Sequence, residues 1–227
     1  MHNMPGQPVG QFAIRPGALL ASSDEFEIIV TGKGGHAAAP HDAIDTTLVA
    51  AQIVVSLQTL VSRNVDPIKR VVLTVGTFET DSVASNVIAH EVRMKGTVRT
   101  LDTEYREFAE KRVREIVEGT ASAFGATVEI AWSRGYPVTM NTPEHTVFAA
   151  EVAKSIAGNV DDDVDPIMPA EDFSYMLEER PGAYIFLGNG DTAMCHHPKY
   201  NFDDEAIPFG SSWYSGMIEV RMKMNTN

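Results

Sequence analysis

Near the carboxyl end, the segment Cys195-His196-His197-Pro198-Lys199-Tyr200-Asn201-Phe202-Asp203-Asp204-Glu205 follows the apolar run Ala183-Tyr184-Ile185-Phe186-Leu187-Gly188. It sets two adjacent imidazoles, a thiol and several carboxylates just past the end of a strand, where open α/β sheets place their chemistry. An imidazole there is a metal-ligand type, and neighbouring carboxylates orient such ligands. The same residues also spell a polar loop with an incidental His pair, and this segment alone does not choose. Adjacent side chains of an extended segment point apart, so His197 reads as a neighbour of a ligand rather than a second one. Cys195 reads as a small buried hydrophobe. The stretch from Asp161 to Asp165 reads as a solvated loop, because it lacks the glycine and terminal glutamate of an EF-hand.

Composition bounds what these groups serve. The chain has 227 residues, 44% hydrophobic and 22% charged, ordinary for one large or two small globular domains. A net charge of −13 argues against nucleic acid or an anionic membrane surface as partner. A single cysteine excludes an internal disulfide. The longest apolar stretch, Leu48 to Val61, is interrupted by Gln52, Ser56, Gln58 and Thr59 and is too short and polar to span a bilayer. The first six residues lack the basic and apolar regions of a signal peptide, so the expected location is cytoplasmic.

The elements that must position these groups are clearest between Asp24 and Pro137. Phe26, Ile28 and Val30 alternate with Glu25, Glu27 and Ile29, predicting a strand that ends at Gly32-Lys33-Gly34-Gly35. Ile44, Leu48, Ala51 and Val55 recur at helical spacing up to Pro67. Arg70 to Thr80 is a β-branched run, and Glu91 to Thr100 alternates with Val92, Met94, Gly96 and Val98 on one face. A second helix follows, capped by Asp102 or Thr103, with Tyr105, Ala109, Val113, Ile116, Val117 and Phe124 as its buried stripe. Val128, Ile130 and Trp132 make a last strand. The order βαββαβ predicts a ferredoxin-like sandwich, two helices on one face of an antiparallel sheet.

The flanks read differently. Phe12 to Ser22 is a strand or extended linker, and Thr142 caps a helix to about Ala157 with Pro143 in its first turn. A short helix from Ala170 to Glu179, a strand from Ala183 to Leu187 and a helical segment from Gly210 to Met224 follow. These pieces read as the end of an α/β domain with few strands, or as elements packed on the central sandwich.

The segment His2-Asn3-Met4-Pro5-Gly6-Gln7-Pro8-Val9-Gly10, with Gly34-Gly35-His36-Ala37-Ala38-Ala39-Pro40-His41, Ser85-Asn86-Val87-Ile88 and Gly96-Thr97-Val98-Arg99-Thr100, resembles the metal-dependent amidohydrolases that include hippurate hydrolases, N-acyl-amino-acid deacylases and related carboxypeptidases. Ala170-Glu171-Asp172-Phe173-Ser174 and the segment from His196 to Asp204 continue the resemblance in family order. Thr46 and Ala89 depart from it, each standing where the family favours proline.

The resemblance implies hydrolysis of the amide bond of N-acyl amino acids or small peptides by a site holding two divalent ions, with zinc, manganese, cobalt and nickel all open. It implies His2 and His196 as metal ligands. His36 and Asn86 become lid residues that reach the site of a neighbouring subunit in a homodimer, and Glu171 and Asp172 the pocket wall. Residues 1–23 and 138–227 would then be the C-terminal remnant of an α/β metallohydrolase domain, and 24–137 an inserted lid and dimerisation domain. The resemblance further implies that the other metal ligands and the general base precede this chain, which alone is expected to be inactive or nearly so. Two other classes stay open: a non-catalytic homodimerisation module, and a ferredoxin-like domain binding a small effector. The strand around Gly96 is compatible with an edge for dimerisation, though the sequence leaves open which strand is the edge; His41 is expected to be structural or exposed, and His90 and His145 are expected at the surface.

Overall fold

The computed structural model of the chain describes residues 1–222. In chain order, β1 (His2–Met4), β2 (Phe12–Ala13), β3 (Gly17–Leu20), β4 (Asp24–Thr31) and β5 (Gly35–His36) come first. Next are α1 (Thr46–Thr59), extended by a π-helical turn at Leu60–Asn64, then β6 (Val71–Thr80), β7 (Val87–Ile88), β8 (Glu91–Thr100), α2 (Thr103–Ala123) and β9 (Thr127–Arg134). Last are β10 (Thr139–Asn141), α3 (Pro143–Ala157), β11 (Val160–Asp161), α4 (Phe173–Glu179), β12 (Phe186–Gly188) and α5 (Ala206–Arg221). The fold is mixed α/β, and no helix among the described residues is long and apolar enough to cross a membrane. The chain divides into two compact units, one of Ala21–Val138 with Met168–Ala170, the other of Met1–Leu20, Thr139–Ile167 and the residues from Glu171 onward.

In the first unit an antiparallel sheet runs in the order β6-β8-β4-β9. The period-2 pattern sends Phe26, Ile28 and Val30 of β4 and Val92, Met94 and Val98 of β8 to the face covered by α1 and α2. Opposite Phe26, a Cβ at Gly96 would fall 2.2 Å from the phenyl ring, so glycine lets that ring lie across β8 and stack on Trp132 at 5.8 Å. At the sheet's end the buried Asp24 carboxylate takes three bonds from two Arg106 nitrogens and one from the Gly135 amide, the pairing a charge needs once it leaves water.

Several expectations are corrected here. The buried face of α1 is Val49, Ile53 and Leu57, whereas Leu48 and Val55 are 56% and 63% exposed. With no charged residue in the helix, the pattern alone had no polar side to choose. Phe124 is exposed beyond the α2 terminus, because Phe124 is the C-cap residue and the buried stripe ends at Ala121. The strand around Gly96 is central; the edges are β6 and β9.

The second unit holds a four-stranded sheet in the order β1-β12-β2-β11, with β1 parallel to β12 and β12 antiparallel to β2. Phe12, Ile14, Ile185 and Leu187 pack there against the alanines of α3 and Trp213 of α5. Buried Asn141 fastens the layer, donating to the carbonyls of Arg15 and Tyr184 and accepting from Tyr184 N–H. Strands of two to four residues are too short to show alternation, and boundaries differ accordingly: α4 begins at Phe173, β12 lies at Phe186–Gly188 and α5 spans Ala206–Arg221. Of the segment expected to be helical to Met224, the last two residues lie outside the described residues. Thr142 stands at the N-cap of α3, but its hydroxyl accepts from Gly182 N–H instead of capping.

Candidate metal centre

β1 and β12 lie side by side with His2 opposite Phe186 and Asn3 opposite Leu187. A Cβ at Gly188 would fall 1.9 Å from the Pro8 carbonyl, so glycine there lets the 6–10 turn close over the end of β12. His2 is held by its main chain, whose N–H donates to the Ile185 carbonyl at 3.0 Å. Its Nδ1 lies 2.6 Å from the Asn3 carbonyl, which only accepts. Nδ1 therefore carries a proton, which leaves Nε2 as the nitrogen that can offer a lone pair when the ring is neutral. A backbone carbonyl fixing one nitrogen so that the other binds metal is how histidine ligands are held.

The other imidazoles divide on the same test. His36 Nδ1 accepts from Ala38 N–H at 3.0 Å, and His197 Nδ1 accepts from Lys199 N–H at 3.1 Å. In both neutral rings the proton sits on Nε2, making that nitrogen a donor. His197 is thereby unsuited to ligate through Nε2. His196 is exposed in the loop after β12 and has φ 68°, the one positive φ outside glycine among the described residues. Such a backbone state persists only where the surroundings over-determine it, and it gathers at functional sites. Next to it, Cys195 is half-buried rather than fully buried, with Sγ 3.9 Å from Asn3 Oδ1, and Tyr200 OH donates to the same oxygen at 2.7 Å. Asn3 thus joins the loop of His196 to the strand of His2.

Glu171 and Asp172 stand just before α4, and Tyr184 OH donates to Glu171 Oε2 at 2.7 Å. Burial alone would raise the Glu171 carboxyl, but hydrogen bonds from Tyr184, Asp172 and the Phe173 amide, with the nearby His2, hold it below the ordinary range. Asp172 is pushed up, first by the hydrogen bond it shares with Glu171 and then by that carboxylate's charge. Burial, followed by the Glu171 bond, pushes the Tyr184 phenol up.

In the first unit, β5 pairs with β7, setting His36 opposite Val87, and Ala37 N–H donates to the Asn86 carbonyl at 3.0 Å. His36 and Asn86 line one surface concavity with Asp81, Ser82 and His90. His41 and His90 are exposed, as expected, whereas His145 is half-buried with an unpartnered Nδ1. Asn3, Tyr184, Tyr200 and Asn189 are the polar residues of this region that sequence reasoning missed. Asn3 and Tyr200 carried a signal, their places beside His2 and within the His196 segment.

The donor set fits a borderline divalent cation in kind: a bare imidazole nitrogen on β1, a second imidazole on the adjoining loop and an ionised carboxylate close to the first. In number it is short. Among the described residues no three His, Cys, Asp or Glu side chains gather into a group that could hold an ion.

Comparison with known proteins gives the same direction. The chain is 38% identical over 224 residues to the hippurate hydrolase of Campylobacter jejuni, covering 98% of this chain and 58% of that one. It is 39% identical over 220 residues to the N-acetyldiaminopimelate deacetylase of Enterococcus faecalis, covering 96% and 58%. The crystal structure of the Bacillus subtilis YXEP protein, described as a dinuclear metal binding peptidase from the M20 family, superposes with a TM-score of 0.80 at 28% identity, covering 98% of this chain and 56% of that one. The chain therefore spans little more than half the length of these relatives. Residues 1–220 match Peptidase family M20/M25/M40, and the chain belongs to that family.

Proposed function

We propose that this chain carries part of the site of a metal-dependent hydrolase that cleaves the amide bond of N-acyl amino acids or small peptides. The tautomers carry the reading. The Asn3 carbonyl at His2 Nδ1 leaves Nε2 as the nitrogen for a metal, while the Ala38 N–H at His36 Nδ1 leaves its Nε2 as the donor for a carbonyl or carboxylate oxygen. Related hippurate hydrolases and N-acetyl-amino-acid deacetylases support the substrate class. His2 Nε2 and His196 would hold metal, which supplies an activated water and a Lewis acid. In a homodimer, His36 and Asn86 of one copy would donate to the carbonyl or carboxylate oxygen of the substrate held by the other. Glu171, kept ionised by Tyr184, and Asp172 would shape the wall beside His2.

A catalytic zinc needs three protein ligands, so the 227 residues alone are expected to hydrolyse little. The test is metal content after dialysis against Mn²⁺ or Zn²⁺, followed by hydrolysis of hippurate and N-acetyl amino acids. Bound metal that is lost in His2→Ala and His196→Ala but kept in His197→Ala supports the assignment. Equal loss in His197→Ala would overturn it, and turnover well above a His196→Ala control would overturn the expected inactivity.

A second reading, a dimerising lid, rests on a separate observation. The order β6-β8-β4-β9 under two helices supports a ferredoxin-like sandwich over residues 24–137. Its edge strand β6 carries no charge and no proline from Val71 to Phe78, and the exposed side of α1 carries none either. Monomers guard such edges with charge, so this one fits a second copy of the chain. Sedimentation as a dimer without metal favours it, and a monomer at all concentrations rules it out.

A further inference from the structure

Asn189 directly follows β12 and is 2% exposed. Its Nδ2 donates to the Asn201 carbonyl at 2.9 Å and its Oδ1 accepts from Asp203 N–H at 3.0 Å. Its main-chain N–H donates to the Met4 carbonyl at 3.0 Å, on the strand that begins at His2. One residue thus closes the base of the 190–202 loop and fastens it to β1. Asp203 continues the chain of bonds, accepting from Glu205 N–H through Oδ1 and from Ala206 N–H through its carbonyl at the start of α5.

A carboxamide is what these partners require. Asn201 offers an acceptor and Asp203 a donor toward the same point, and Asn supplies the matching donor and acceptor as a peptide group would. Aspartate would turn a buried anion onto the Asn201 carbonyl, and an apolar side chain would take the bonding partner from both backbone groups. Within the loop so closed, His196 holds its left-handed backbone, a state that fixed surroundings must enforce.

We propose that Asn189 is a positioning residue whose carboxamide holds the 190–202 loop in the shape that presents the His196 imidazole beside β1. The role rests on the reading of His196 as a metal ligand. It is tested on the 227-residue chain with Asn189→Ala, Asn189→Asp and His196→Ala, by Co²⁺ titration and by amide hydrogen exchange. Losing a group that orients a ligand lowers metal affinity by about 10–100-fold. Asn189→Ala should show that loss while still unfolding cooperatively, with faster exchange confined to 190–203. Asn189→Asp, which keeps the acceptor but sets an anion against the Asn201 carbonyl, should lose at least as much affinity as Asn189→Ala. Full Co²⁺ affinity in Asn189→Ala beside a loss in His196→Ala would overturn the positioning role alone. Unchanged affinity in His196→Ala would overturn the metal reading and this role with it. Unchanged exchange across 190–203 in Asn189→Ala would overturn the tie itself, whatever the metal does.

Discussion

At the scale of single residues, what distinguishes the histidines is the backbone group each ring meets. A carbonyl at Nδ1 of His2 and amides at Nδ1 of His36 and His197 assign opposite protons to chemically identical rings. The sequence located the imidazoles but not these partners, which depend on local loop shape. The residues that hold the site were less legible still. Tyr184 reads as one more apolar letter of a strand, and its bond to Glu171 crosses 13 positions, a relation no local pattern encodes. Tyr184→Phe keeps the buried ring and removes only the hydroxyl. A hydrogen bond to a charged group contributes about 1.5–3 kcal/mol, so the urea midpoint at neutral pH should fall by that much stability with the slope unchanged. An unaltered midpoint would mean the Glu171 carboxylate is satisfied without Tyr184.

At the scale of elements, legibility followed length and charge. β4, β8 and α2 were readable because each alternates apolar with charged residues over 8 to 21 positions, so one face is marked as wet. The α1 helix is uncharged throughout, and the apolar series chosen from its sequence was the exposed one. The α2 start was readable to within one residue, and of the two candidates it is Asp102 that caps, accepting from Glu104 N–H at 2.9 Å and Tyr105 N–H at 3.4 Å. Lys69 Nζ donates to its other oxygen at 2.7 Å. The Lys69 bond first, against the pull of burial, and then the two amides hold the Asp102 carboxyl below its ordinary value. A carboxyl depressed in the folded state stabilises it above the unfolded value, and that stability is lost as pH falls through the folded value. Asp102→Ala should therefore cost about 0.5–2 kcal/mol at pH 7. The gap from the unaltered protein should start to narrow near the ordinary aspartate value, about 3.9, and close below it. Denaturant unfolding at a series of pH values measures this, and a gap that persists in acid would show that the carboxylate's charge is not what stabilises the helix.

At the scale of the whole molecule, charge is unevenly spread. The chain carries 31 acidic and 18 basic residues, yet α1 and β6 up to Phe78 contribute none. Copies meeting elsewhere would bring like charge together, whereas a dimer through this face would join paired backbone and apolar side chains such as Leu48, Val55 and Val72. Added salt should then leave a dimer intact or tighten it, because it screens the repulsion between two bodies of net charge −13 without weakening apolar contact. The sharper test is Val55→Lys. Val55 is 63% exposed in the chain, so a lysine there leaves the core of the sandwich untouched, and thermal unfolding at low protein concentration should shift little. In a dimer formed through α1 the same lysine would be buried without a partner, a cost of several kcal/mol. At about 1.4 kcal/mol per tenfold change, association should weaken by about a hundredfold or more, enough for sedimentation equilibrium at micromolar concentration to register a monomer. A Val55→Lys chain that remains dimeric would place the interface elsewhere and leave the uncharged edge of β6 unexplained.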